Sequence, residues 1–131
     1  KVKDFELELS SESEHYINKV LGQQIKVVPK LWNSFQRITL VNTREVERLT
    51  LDLNLTFEWQ DKKKVFDHLV VAELKQENVN RNSLFYSLMK EHHIRPNSIS
   101  KYCVGGIALN PELKANNFKD KVLLIDKLKK P

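Results

Sequence analysis

The sequence has few of the residues that cross-link a chain or interrupt its helices and strands, with one cysteine, three glycines and four prolines in 131 residues. A single cysteine, Cys103, cannot form an internal disulfide or complete a zinc site by itself. We therefore expect a reducing, cytoplasmic environment. The low glycine and proline content excludes collagen-like and low-complexity chains. The longest apolar runs are four residues, whereas a transmembrane helix needs about 20, so the sequence predicts no membrane-spanning segment.

The composition is that of a folded domain, with 40% hydrophobic and 30% charged residues. We predict a single domain over residues 1–131. The chain begins at Lys1 rather than at a methionine, which we interpret as a start within a longer protein. Its net charge of +5 favours anionic partners only weakly, because an ordinary protein surface can carry the same excess. The basic C-terminal tail has few interleaved aromatic residues, so we predict no nucleic-acid partner.

Hydrophobic periodicity predicts an α+β fold built on antiparallel strands. Alternating side chains predict strands over residues 1–9, 35–41, 48–57 and about 69–76. Helical spacing predicts helices over residues 12–21 and 82–92, the first ended by Gly22. Residues 61–64 are interpreted as a charged loop, and residues 118–129 give mixed signals. Residues 100–109, which contain two adjacent glycines, fit either a strand or a short helix.

The clearest predicted strand is residues 48–57, where apolar and polar residues alternate without a break. This period of two predicts that one face of the strand is buried and the other is polar. The apolar face would hold five side chains: Leu49, Leu51, Leu53, Leu55 and Phe57.

Ionisable residues lie in the middle of three predicted strands: Arg37, then Arg48 and Asp52, then Glu73 and Lys75. One interpretation is an antiparallel sheet with one face in water, where such residues are simply solvated. The other is that these faces line the inside of a barrel. Because an unpaired buried cation costs several kcal/mol, such a barrel would hold water, counter-charges or a polyanion such as a chain of phosphates. A carboxylate among the cations could also bind Mg²⁺ or Mn²⁺.

Four segments occur in an order that resembles the C-terminal half of a bacterial VTC domain: Phe35–Leu40, Glu47–Phe57, Val71–Gln76 and Ile94–Cys103. The VTC domain is the polyphosphate polymerase domain of the triphosphate tunnel metalloenzyme superfamily, and the resemblance covers about residues 30–125. It implies a tunnel of antiparallel strands lined by basic residues, with a few flanking helices. It also implies a phosphotransferase that moves the terminal phosphate of a nucleoside triphosphate onto polyphosphate, using a divalent metal, Mg or Mn.

The resemblance assigns roles to individual residues of this chain. Arg37, Arg48, Lys75 and Lys101 match the basic residues that would bind phosphate, and Glu73 matches the metal ligand.

The chain departs from the family pattern at two positions. Val46 and Ser98 stand where eukaryotic members carry an arginine and a lysine, and Arg95 or Arg44 could compensate for these cations. We therefore include Arg95 among the predicted phosphate-binding residues.

The resemblance also implies that the N-terminal half of the tunnel is absent from this chain. About five strands are visible, whereas a closed barrel of this kind needs about eight, so we expect an incomplete tunnel that is inactive by itself. Exposed sheet edges favour self-association, and a homo-oligomer is expected. Two alternatives to the polymerase stay open: a non-catalytic module that binds polyphosphate or triphosphate, and a triphosphate hydrolase on the same fold.

Overall fold

The computed structural model describes residues 8–129 and has the α+β architecture expected, an antiparallel sheet with flanking helices. A 3₁₀ turn at Asn116–Phe118 leads into the last helix. In chain order the other elements are α1 (Ser11–Leu21), β1 (Trp32–Asn42), β2 (Glu47–Trp59), β3 (Lys62–Phe66), β4 (Val71–Gln76), α2 (Leu84–Glu91), α3 (Lys101–Leu109) and α4 (Lys119–Lys127).

The long strand β2 is the centre of the sheet. It pairs with β1 along one side, while β3 and β4 share its other side, β3 beside residues 55–59 and β4 beside residues 47–52. All three pairings are antiparallel. Over residues 8–129 these four strands form an open sheet and do not close into a barrel.

A β-bulge at Asn54 overturns the prediction of one unbroken apolar face on β2. Gln36 of β1 lies opposite Leu53, but Ser34 lies opposite Thr56, so β2 uses one residue more than β1 here. Asn54 takes a φ of 52°, a conformation that asparagine tolerates better than most residues. Because side chains alternate across a strand, the extra residue exchanges the two faces beyond this point.

The exchange of faces divides the five apolar side chains of β2 that the alternating pattern predicted on one face. The two beyond the bulge, Leu55 and Phe57, are fully buried and share the face of Asp52, whereas the three leucines before it lie on the opposite face and are only partly buried. The ring of Phe57 meets that of Phe66 edge to face, with centroids 5.8 Å apart. The core over residues 8–129 joins the middle of the chain to its last two helices: Leu55, Phe57, Phe66, Leu69, Val104, Leu109 and Ile125.

Helix α3 covers the face of the sheet that carries Asp52, Leu55 and Phe57. Ser100 begins the helix, its hydroxyl accepting a hydrogen bond from the backbone N–H of Cys103. Gly105 lies directly on the Phe57 ring, where a Cβ atom would stand 2.2 Å from a ring carbon. Of the two alternatives for residues 100–109, the structure has the helix, and its first residue, Lys101, contacts Asp52.

Other expectations are met with small shifts and one error. Helices α1 and α2 are confirmed, although α1 is capped by Ser10, and Gly22 ends α1 in the left-handed conformation with a φ of 66°. The charged segment 61–64, predicted to be a loop, mostly belongs to strand β3, because the turn after Trp59 is short and β2 continues past the bulge. The strand predicted over residues 1–9 lies mainly outside the described residues, and Glu8 and Leu9 are not in a strand. No helix within residues 8–129 is long and apolar enough to cross a membrane.

Candidate functional site

Strand register brings the predicted polar residues onto one face of the sheet in three rows. Because residues directly opposite each other point to the same side, each row joins β1, β2 and β4. The rows are Arg37, Asp52 and Val71; Thr39, Thr50 and Glu73; and Val41, Arg48 and Lys75. We call this set the polar face. Its first and last rows are four residues apart on β2, or about 13 Å.

The best-connected group on the polar face is the carboxylate of Asp52, which is only 1% exposed. Arg37 donates to it twice, from Nε to Oδ1 at 2.6 Å and from Nη2 to Oδ2 at 2.8 Å. Lys101, arriving from α3, places its Nζ 2.5 Å from Oδ2. One buried carboxylate thus holds two cations that come from different elements of the fold. Such paired, charge-assisted geometry is the strong form of hydrogen bonding to a carboxylate.

An aromatic ring completes this cluster. The guanidinium carbon of Arg37 lies 5.0 Å from the centre of the Phe35 ring, and the Nζ of Lys101 lies 4.7 Å from it. Both distances are within the range of cation–π attraction. We call Phe35, Arg37, Asp52 and Lys101 the Asp52 cluster.

The two cations keep Asp52 ionised. The hydrogen bond from Arg37, opposed by burial and assisted by Lys101, lowers the pKa of Asp52 from 3.8 to about 2. The same hydrogen bond raises the pKa of Arg37, so its guanidinium stays charged.

The lowered pKa predicts a pH-dependent contribution to stability. A carboxylate whose pKa is depressed on folding stabilises the folded state above its unfolded pKa, and this contribution, about 2 kcal/mol here, is lost as the pH falls through its folded pKa. We therefore expect the difference in unfolding free energy between wild type and Asp52→Asn to be largest near pH 6 and to shrink steadily from pH 4 to pH 2. Urea denaturation followed by tryptophan fluorescence measures it. A difference that stays constant over this range would contradict the assignment.

The far row of the polar face places two cations side by side. Arg48 lies directly opposite Lys75, and like charges in this position destabilise a sheet. Lys75 reaches along its own strand to Glu73, with Nζ and Oε1 3.2 Å apart. Arg48 is exposed and forms no salt bridge with any residue from 8 to 129. Lys75 thus has a carboxylate partner, whereas the positive charge of Arg48 is not paired by a salt bridge within residues 8–129.

Glu73 is a half-exposed carboxylate in a salt bridge with Lys75, and it could offer one ligand to a metal ion. No group of three or more His, Cys, Asp or Glu side chains within residues 8–129 could hold a metal by itself. Mg²⁺ is often bound through one or two carboxylates together with phosphate oxygens and water. The donor set therefore fits a divalent ion that shares its coordination with phosphate, and it does not fit an ion held by protein groups alone.

The remaining predicted residue, Arg95, lies apart from the Asp52 cluster, in a groove of about 1290 Å³. Consecutive residues 69–74 line this groove, so β4 borders it with the edge that points away from β2 rather than with one face. Glu73 also reaches the groove, which joins Arg95 to the polar face at that residue. Further cations line it from the helices and the connecting segments: Arg81, Lys90 and Lys121.

The structure thus brings five of the six predicted residues onto or against one face: Lys101 reaches it from α3, and the strands supply Arg37, Arg48, Glu73 and Lys75. Sequence reasoning missed the central position of Asp52 and the ring of Phe35. Asp52 was visible as an acidic residue on the polar side of the clearest strand. Its two partners could not be identified, because they depend on the β1–β2 register and on the packing of α3.

Comparison with known proteins gives one result. The family model described as the VTC domain matches residues 5–110, more than three quarters of the chain. No curated protein and no solved structure matches the chain significantly.

Proposed function

The chain belongs to the VTC-domain family, and we propose that its polar face binds the phosphate chain of a nucleoside triphosphate or of polyphosphate. In this proposal the bound terminal phosphate is transferred from the nucleotide to polyphosphate with the help of a divalent ion. The protein is then a polyphosphate polymerase-like phosphotransferase. The sheet would form one wall of a basic tunnel. Its edges at β1, β3 and β4, which pair with no further strand within residues 8–129, are where other strands or a second copy of the chain would pair.

The observation that carries the proposal is the row of Arg48 and Lys75, two rows along the same face from the Asp52 cluster, in which Arg48 has no salt bridge within residues 8–129. Two cations held opposite each other cost free energy unless an anion lies between them. A phosphate chain running along the face from this row to the cluster would meet positive charge at both ends. Guanidinium and ammonium groups suit that ligand, because the first offers forked donors and the second a compact charge.

The cations would also act during the transfer itself. Phosphoryl transfer depends mainly on positioning and on stabilising the charge that spreads over the transferred group. Arg37 and Lys101 would hold one part of the phosphate chain. Arg48 and Lys75 would hold another part, which would keep the reacting phosphates in line. Donors fixed in advance are the most effective, because they need no reorganisation during the reaction.

Glu73 is the residue we propose as the protein ligand of Mg²⁺ or Mn²⁺. A divalent ion bound there would supply positive charge that offsets the negative charge of the phosphates. Glu73 would set the position of the ion relative to the bound phosphates. Its salt bridge to Lys75 keeps the carboxylate beside a phosphate-binding cation.

The test is synthesis of polyphosphate from ATP and Mn²⁺ by the protein in its full natural length, with products separated by gel electrophoresis. We expect chains of polyphosphate with wild type and a loss of at least 100-fold in rate with Glu73→Gln, which keeps the shape but removes the charged ligand. Glu58→Gln, on β2 where Glu58 forms an exposed salt bridge with Lys63, is the control and should retain activity. No product from wild type, or full activity in Glu73→Gln, would contradict the polymerase assignment.

A second candidate is a non-catalytic module that binds polyphosphate, which is favoured because no group of three or more His, Cys, Asp or Glu side chains within residues 8–129 could hold a metal. This module would bind triphosphate tightly in low salt, release no product and respond little to chelators. The same product separation distinguishes it from the polymerase, and release of inorganic phosphate without polymer would indicate a triphosphate hydrolase.

A further inference from the structure

The buried carboxylate of Asp52 has no part in binding phosphate, because two anions repel each other. Nevertheless it is the least exposed charged group described, and two of the proposed phosphate-binding cations converge on it. Removing those cations from Asp52 would leave a buried, unpaired charge, which is strongly unfavourable. The contacts of Asp52 are therefore part of the folded framework and not an incidental surface pair.

The geometry leaves donors free on both cations. Arg37 approaches Asp52 with Nε and Nη2, so its Nη1 makes no hydrogen bond to the carboxylate. The ammonium of Lys101 has three N–H groups, of which the contact with Asp52 uses one. The ring of Phe35 lies against both cations and limits their movement on that side.

We propose that Asp52 is a positioning residue that joins Arg37 of the sheet and Lys101 of α3 into one two-cation site for a phosphate group. The carboxylate holds the two side chains next to each other, and their remaining N–H groups bind the phosphate. This inference rests on the proposed function, since it names the residue that arranges the proposed phosphate ligands. It assigns to Phe35 the role of a side wall for the same two cations.

The proposal is testable because a positioning role and a simple effect of charge predict opposite changes in phosphate affinity when the carboxylate of Asp52 is removed. Removing a carboxylate raises the local positive charge and should strengthen binding of a polyanion if the cations act only through their field. If Asp52 positions the cations, the same change weakens binding, because Arg37 and Lys101 lose their common anchor. Long side chains that must be ordered on binding cost conformational entropy that a pre-arranged site avoids.

The experiment is calorimetric titration of sodium tripolyphosphate into the chain at several salt concentrations, comparing wild type with Asp52→Asn. We expect Asp52→Asn to bind at least 10-fold more weakly and to show a shallower loss of affinity with salt. Glu58→Gln is the matched control, because it removes the same charge from the same strand beside a lysine. Its affinity should stay within about twofold of wild type or rise slightly.

A second variant covers the case in which Asp52→Asn does not fold. Phe35→Leu keeps an apolar side chain at a partly exposed position and removes the ring from both cations. We expect a 3- to 5-fold weaker affinity with an unchanged melting temperature, a combination that a merely structural role would not give. The Nε–H resonance of Arg37 provides a direct readout, since it should be sharp and shifted in wild type and lose that shift in Asp52→Asn.

The outcomes separate the two proposals. If wild type does not bind tripolyphosphate, the proposed function fails and this inference fails with it. If wild type binds and folded Asp52→Asn binds equally well or more tightly, the positioning role is overturned while the proposed function stands. Where Asp52→Asn does not fold, the same result in Phe35→Leu overturns it. Weaker binding in the variant and not in Glu58→Gln supports both.

Discussion

Replacing Arg48 with glutamate is expected to weaken tripolyphosphate binding at least 100-fold while leaving the fold as stable as before or more so. Arg48 lies directly opposite Lys75 on the polar face, so the wild-type pair repels itself whenever no anion is bound. Glutamate at this position would face Lys75 as an opposite charge and relieve that repulsion. The same change removes one phosphate donor and adds a repelling charge, and a 100-fold loss corresponds to about 2.7 kcal/mol.

Lys62→Glu is the matched control for this reversal, because Lys62 lies opposite Trp59 at the other end of β2. Trp59 is eleven positions after Arg48, which corresponds to about 36 Å along an extended strand. Calorimetric titration and thermal melting of the two variants provide the comparison. Equal losses of affinity in both variants would indicate a general effect of net charge, and a marked loss of stability in Arg48→Glu would contradict the repulsion between Arg48 and Lys75.

The second large effect is expected at Gly105, where substitution by alanine should destabilise the fold by about 1–3 kcal/mol, as overpacking a tight core does. A Cβ atom at this position would stand 2.2 Å from the ring of Phe57, a fully buried side chain that is surrounded by the core. Neither the ring nor α3 can move without opening the contact between helix and sheet. Because the same helix delivers Lys101 to Asp52, we also expect weaker tripolyphosphate binding by the fraction that remains folded.

Gly106→Ala is an unusually close control, since it makes the same change one residue further along the same helix. A Cβ atom at Gly106 would meet nothing within 4 Å, and alanine favours a helix over glycine by up to about 1 kcal/mol. We therefore expect Gly106→Ala to be as stable as wild type or slightly more stable. Urea denaturation of both variants measures the difference, and similar stabilities for the two would contradict the packing of α3 on Phe57.

The sequence allowed most elements of this fold to be predicted because their signals are local. The alternation on β2 and the helical spacing of α1 and α2 are each contained within a dozen residues. The exchange of faces at Asn54 was missed because a bulge adds a residue without disturbing the apolar–polar pattern, so Leu55 and Phe57 still appeared to continue the row of leucines. An asparagine inside a strand was the one available signal, since it accepts a positive φ more readily than its neighbours.

The candidate site was predictable in its residue types and not in its arrangement. The cations and Glu73 were found by their resemblance to family motifs, and register confirms that Arg48 and Lys75 share a face. The role of α3 was not predictable, since two adjacent glycines weaken a helix signal and only the packing of Gly105 on Phe57 accounts for the first of them. Asp52 lay in a predicted polar row, but its two partners come from residues 15 positions before it and 49 positions after it.

The central claim is that the polar face of the sheet binds a chain of phosphates. The most direct measurement is an NMR titration of the chain with tripolyphosphate, following backbone amides and the arginine side chains. Saturable shifts that are largest at Arg37, Arg48, Lys75 and Lys101, and small for Lys63 and the leucines of the opposite face, are the predicted result. Shifts spread evenly over all exposed lysines and arginines, or none below millimolar ligand, would contradict the claim.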